Sequence, residues 1–212
     1  LNQTTVHDAL PIAERVRKAL SETGFSHGTR PLRLTASIGI AQLGQGELRG
    51  ANTERVVQAL EAAKAAGGNV CFRHDGEVCH PVSSAFQSKT QREAEEPLSL
   101  AALWRDASTG ILPTDADGTA VADSKSADAP PELSGRSLFA ANLSRRLAEW
   151  KRGGASVSVA LLRIDQLDGL INRFGERAKV FIRQVMGRLM EATTREMDER
   201  CEFEDGLFAL IL

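Results

Sequence analysis

The segment "SVSVALLRID", residues 156–165, constrains the fold of this chain more than any other. A strand with one wet face alternates apolar and polar residues, whereas Val159, Ala160, Leu161 and Leu162 are apolar in succession. Such a strand must be kept from water on both sides, which places it centrally in a sheet covered on both faces.

Around this strand the chain reads as two patterned regions separated by an unpatterned one. Residues 1–74 read as helix, strand, helix, strand. Asp8 caps the first helix, Pro11 falls in its first turn, and Ile12, Val16 and Leu20 recur at intervals of four as its buried stripe. In "PLRLTASIGIAQL", Leu32, Leu34, Ala36, Ile38 and Ile40 face one way and Thr35, Ser37 and Gly39 the other, predicting a strand over 32–41. "NTERVVQALEAAKAAGGN" is a helix from Asn52 or Thr53 that Gly67-Gly68 stops. "NVCFRHDGEVCHPV" reads as a hairpin turning at Asp75-Gly76, with Cys71 opposite His80 and Phe72 opposite Cys79.

Residues 81–135 hold one expected helix, "SLAALWRDA", and then a stretch rich in Ser, Asp, Ala and Pro, which reads as a linker because it has too little apolar surface to order itself. Pattern resumes at Ser137, read as a cap for a helix with Leu138, Phe139, Leu143, Leu147 and Trp150 inward and Gly153-Gly154 at its end. A helix over 176–194 carries Val180, Ile182, Val185, Met186, Leu189 and Met190. The closing "RCEFEDGLFALIL" is a hairpin turning at Asp205-Gly206, with Phe203 facing Phe208.

The 212 residues are enough to bury a sizeable core, and 26 basic against 28 acidic residues give no net charge that points to nucleic acid or a membrane surface. Aromatics are few and basic clusters short, so nucleic-acid binding is not expected. No apolar run is long enough to span a bilayer, no signal peptide is apparent, and the absence of an initial Met reads as a piece of a longer polypeptide. Three cysteines without framework spacing point to a reducing, cytoplasmic setting.

These segments resemble the GGDEF family of diguanylate cyclases, whose members join two GTP molecules into cyclic di-GMP. "LLRIDQLDGLINRFGE" and "REMDERCEFEDGLFALIL" follow the layout of that family's first half, ending in its signature hairpin. "TASIGIA" and "ALEAAKAAGGN" are similar to the strand and helix end that come after the hairpin. The order is inverted: residues 1–80 resemble the second half, 81–135 form a helix plus linker, and 136–212 resemble the first half. Either one domain is circularly permuted, or the chain holds parts of tandem copies; both arrangements predict that the halves assemble into one sheet. The resemblance implies an α/β (α+β) fold with a central, mostly antiparallel, five-stranded sheet flanked by helices.

The resemblance also shows what has been replaced. A cyclase holds Mg²⁺ with two carboxylates against the triphosphate. Arg163 stands at the first metal Asp, and Asp165 at a second Asp that the family does not use as its main ligand. Ile171 falls at the guanine-reading Asn and Asp168 at the Lys of Phe-Lys. The hairpin signature has become Glu204, Asp205, Gly206, Leu207 and Phe208, while Lys64 remains as a remnant of the phosphate site beside Gly68, where the family has Arg. No catalytic residue is assigned, and Glu204 and Asp205 read as solvated turn acids.

Arg195 and Asp198 keep the spacing of the family's inhibitory site, where the resemblance implies that cyclic di-GMP binds through a guanidinium fork and a carboxylate. The alternative for these two is a surface ion pair. Cys71, His74, Cys79 and His80 have zinc-like composition, but the hairpin puts Cys71 and His80 on one face and His74 and Cys79 on the other, so no metal is expected there. The leading expectation is a catalytically inactive GGDEF-like regulatory module acting through a protein partner or self-association, without a cofactor. A cyclic di-GMP receptor comes second, and an active diguanylate cyclase with Mg²⁺ third.

Overall fold

The computed structural model describes residues 6–27, 30–44, 49–82 and 135–212. The expected helix "SLAALWRDA" and nearly all of the expected linker lie outside these residues, as does Leu1. Helix α1 (Val6–Glu22) is followed by the short strands β1 (Phe25–His27) and β2 (Arg30–Leu32), then β3 (Ala36–Gln42), α2 (Arg49–Ala65), β4 (Cys71–His74) and β5 (Cys79–Pro81). The later part contains α3 (Arg136–Lys151), β6 (Ser158–Ile164), α4 (Leu167–Phe174), α5 (Arg177–Thr193), β7 (Glu199–Glu204) and β8 (Leu207–Ile211). The fold is α+β, with a six-stranded mixed sheet in the order β5-β4-β3-β6-β8-β7. The pair β3–β4 is parallel, crossing over through α2, and the other neighbours are antiparallel.

Strand β6 lies between β3 and β8, and its apolar run is covered on both sides as its composition requires. Ala160, Leu162 and Ile164 join Ile38, Ile40, Phe208 and Leu210 in the core beneath α1 and α5. Val159 belongs instead to a second core with Ala41, Ala209, Ile211, Val56 of α2 and Phe139 of α3. Ile12, Val16 and Leu20 of α1 are buried as their spacing predicts. Helix α2 seats directly on β3 at Gly39. A Cβ there would stand 2.2 Å from the Leu60 nitrogen, so only glycine admits this approach.

The sheet is built jointly by the two parts of the chain. Strand β6 runs antiparallel to β8 with Leu162 opposite Phe208. Across β6, Ile38 of β3 pairs with Leu162. The Val6 amide donates to Gln42 Oε1 at 3.3 Å, Gln42 pairs with Ser158, and Ser158 exchanges hydrogen bonds with Leu212. The first described turn of α1 and the end of β8 thus share one rim of the sheet.

Several expectations are corrected. The sheet has six strands rather than five, because the short β5 pairs with β4 at its edge. Residues 32–41 are not one strand: the chain leaves β2 at Leu32, and Thr35 turns its carbonyl to the Asp165 amide before β3 begins. In the first hairpin Phe72 faces Pro81 and His74 faces Cys79, because the Asp75 carboxylate accepts the Glu77 and Val78 amides and makes a wider turn. In the last hairpin Phe208 faces Glu202. A bulge between Glu202 and Glu204 leaves Phe203 without a cross-strand partner and sends its ring to Phe139, centroids 5.3 Å apart.

Leu138 is exposed rather than inward. On α5, Val180 is exposed and Phe181 beside it is buried. Helix α3 begins at Arg136 after Gly135, so Ser137 is inside its first turn and is not its cap. Asp8 similarly lies within α1, and α2 begins ahead of Asn52.

Candidate functional site

The polar residues that the fold brings together gather where β6 ends. Asp165, the first residue beyond the strand, accepts the Thr35 hydroxyl at 2.8 Å, the Ser37 hydroxyl at 2.6 Å and the Asn69 amide at 2.9 Å. Thr35 immediately precedes β3, Ser37 is its second residue, and Asn69 belongs to the loop between α2 and β4. That loop carries three successive left-handed residues, Gly67 (φ 104°), Gly68 (φ 79°) and Asn69 (φ 50°). A Cβ at Gly68 would come 3.1 Å from the carboxylate, so the missing side chain makes room for it.

The cluster extends to α1 through Arg17, whose Nη1 donates to the Asn69 carbonyl and side chain. The same guanidinium holds Glu14 in a fork at 2.9 and 2.7 Å. Burial raises the Glu14 pKa, but hydrogen bonds from Arg17 and Cys71 outweigh it and leave the carboxyl below its ordinary range. Burial, together with the neighbouring Glu14, pushes the Cys71 thiol up, so it stays protonated and inert. A carboxylate with three donors in fixed positions acts here as a joint between the two parts of the chain.

A second group surrounds the tip of the β7–β8 hairpin. Glu204 lies 3.4 Å from Arg136 and 3.7 Å from Arg163, and Asp205 lies 2.9 Å from Lys179, which also holds Glu176 at 2.8 Å. Glu176 first, and then Asp205, hold the Lys179 ammonium above its ordinary value. Gly206 turns the chain with φ 70°, and a Cβ there would strike the Leu167 side chain at 2.7 Å. Leu207 pairs with Glu204 and Arg163, and Phe208 is fully buried.

Mg²⁺, the ion that the resemblance implies, does not fit these residues. The nearest analogue of its first ligand is the guanidinium of Arg163, and the Asp165 carboxylate is engaged by two hydroxyls and an amide. No step is routed through such an ion.

The remaining expected residues are dispersed. Lys64 forms an exposed pair with Glu61 at 3.0 Å on the last turn of α2. Asp198 is buried and accepts the Arg195 amide at 2.8 Å, while its own amide donates back to the Arg195 carbonyl. Burial raises its pKa, against the pull of that amide and of the guanidinium groups of Arg195, Arg146 and Arg200. Arg195 itself is exposed. His74 Nδ1 accepts the Gly76 amide, so its Nε2 carries the proton and donates to Gln58 at 3.1 Å. His80 instead meets Asp75 at 2.6 Å. Among the described residues no three His, Cys, Asp or Glu side chains are placed to share a metal ion.

Comparison with protein-family models, curated proteins and solved structures returned no match. Among the described residues no helix is long and apolar enough to cross a membrane.

The roles of Thr35, Ser37 and Asn69 were not read from the sequence. The one local signal was an Asp closing an apolar strand, with two hydroxyls on the polar side of another.

Proposed function

We propose that this chain is a catalytically inactive GGDEF-like module of a signalling protein, working through protein contacts. One observation carries the reading: at the end of β6, a guanidinium stands where a metal-binding carboxylate would be needed, and Glu204 of the hairpin lies against it at 3.7 Å. Charges that compensate each other in this way stabilise a surface but leave no vacant acidic pair for a cation. Incubation with GTP and Mg²⁺ is expected to give no cyclic di-GMP. Product that disappears in Asp165→Ala would overturn the reading.

A second reading, a cyclic di-GMP receptor, is favoured by the exposed Arg195 near Arg146 and Arg200 around Asp198. The commitment of the Asp198 carboxylate to its own turn favours it less. Calorimetry distinguishes the two. Binding that Arg195→Ala weakens about ten- to a hundredfold, the loss expected for a charged hydrogen-bonded contact, would establish the receptor.

A further inference from the structure

Helix α3 is held to the sheet differently from α5. Phe139 is the one buried residue among its 16, whereas α5 buries nine of 17. Leu143, Leu147 and Trp150 are only partly buried against the second core. The principal neighbour of α3 is the edge strand β7. The start of the helix has little of its own to hold it. Gly135 stands at the N-cap without a side-chain hydrogen bond, and the first turn holds no acidic residue. Arg136 brings a positive charge to the positive end of the helix dipole.

The ties that fix α3 are side chains reaching to β7. Arg136 donates to the Phe203 carbonyl and lies over the Phe203 ring at 5.6 Å. Arg146, nearer the other end of α3, donates to the Met197 carbonyl just before β7. Phe139 meets Phe203 edge-on. An edge strand offers unpaired backbone groups, and a helix laid along it is one way to cover them. The opposite edge is blunted differently, by the three-residue β5 that ends in Pro81. Cys201, in β7 between the two tethered carbonyls, is fully buried in the same core as Phe139.

We propose that α3 is a strap over the β7 edge, which lifts as a unit while the rest of the sheet stays folded. Lifting breaks two guanidinium–carbonyl hydrogen bonds, withdraws Phe139 and bares Cys201 with the rim of β7. Elements with few buried apolar contacts open at a lower free energy than the whole molecule, and α3 is such an element. No α3 residue belongs to the first core, so lifting leaves the packing beneath α1 and α5 intact. The position of α3 therefore decides whether β7 is a closed or an open edge.

Native-state hydrogen exchange and pulsed maleimide labelling of Cys201 test this, both on the full chain across low urea and read by mass spectrometry. The α3 amides are expected to share one opening free energy with Cys201, and a shallow urea dependence because little surface is bared. They should exchange at least about tenfold faster than the α5 amides, whose urea dependence is steep. Arg136→Ala combined with Arg146→Ala should speed α3 exchange and Cys201 labelling together, by about tenfold for two such hydrogen bonds, with the shallow slope kept. Phe139→Leu should accelerate the same pair without touching the arginines. Amides of α3 that follow the steep α5 dependence would overturn the proposal, since α3 would then open only with the whole molecule. So would α3 amides that exchange while Cys201 stays protected, which is fraying rather than lifting, or rates that neither variant changes.

Discussion

Replacing Gly39 by Ala tests how closely α2 is seated on the sheet. The added carbon would stand 2.2 Å from the Leu60 nitrogen, 2.6 Å from the Val56 oxygen and 2.7 Å from the Leu60 Cα. All three are main-chain atoms, so no rotamer change relieves the clash. Favourable carbon contacts lie at about 3.5–4.0 Å, so the helix must retreat by roughly 1 Å. A gap of that size forfeits about a quarter to a half of the dispersion energy of each contact it opens. The contacts at stake are those of Val56, Ala59, Leu60 and Ala63, all buried. Overpacking alone costs about 1–3 kcal/mol. With these contacts loosened, about 3 kcal/mol is expected, or about 6–12 °C in Tm for a chain of this size. Gly24→Ala is the control: no atom lies within 4 Å and its φ is not left-handed, so it should stabilise by about 0.4–1 kcal/mol. Urea titration followed by circular dichroism measures both. If Gly39→Ala lies within about 0.5 kcal/mol of wild type, the close seating of α2 on β3 is wrong.

Asp165→Ala removes three hydrogen bonds that cross between the two parts of the chain, and bonds to a charged acceptor are worth about 1.5–3 kcal/mol each but do not add fully. A loss of about 3 kcal/mol in urea titration is expected, with Asn recovering part of it. For Asp198 the folded pKa is raised by burial, so the folded state holds the proton more tightly than the unfolded one, whose value is about 3.9. Its contribution therefore weakens as pH rises from about 3.9 through the raised folded value, and Asp198→Asn should remove that component from a stability–pH profile. A profile identical to wild type would contradict the burial of this carboxyl. A double-mutant cycle on Phe139 and Phe203 should show coupling of about 0.5–1.5 kcal/mol from their edge-on contact. Zero coupling would mean that the bulged residue does not reach α3.

The most legible elements in the sequence were those whose burial is two-sided or strictly periodic. Val159 to Leu162, Ile38 with Ile40, and the stripe Ile12, Val16 and Leu20 all lie where their patterns placed them. Leu138 misled because an apolar residue in a helix does not declare whether a neighbour will cover it, while Phe139 beside it is buried as expected. The first hairpin register slipped because a turn-pair rule does not foresee that the Asp75 side chain will hold two further amides. Around Asp165 the obstacle was separation. Its partners lie 96, 128 and 130 residues away, and no local periodicity encodes contacts at that range.

The placement of β3 beside β6 also bears on how the chain finds its structure. Strands β7 and β8 are neighbours in sequence, and β3, α2 and β4 form one continuous crossover, so each part can organise from nearby contacts. The pairing of Ile38 with Leu162 must instead close most of the chain into a single loop. Closing so large a loop delays folding, because the entropy is lost before the contacts form. Lengthening it further adds little, about 0.6 kcal/mol for each doubling. Inserting residues between Val82 and Gly135 should therefore slow the meeting of the two parts while leaving the depth of the native basin almost unchanged.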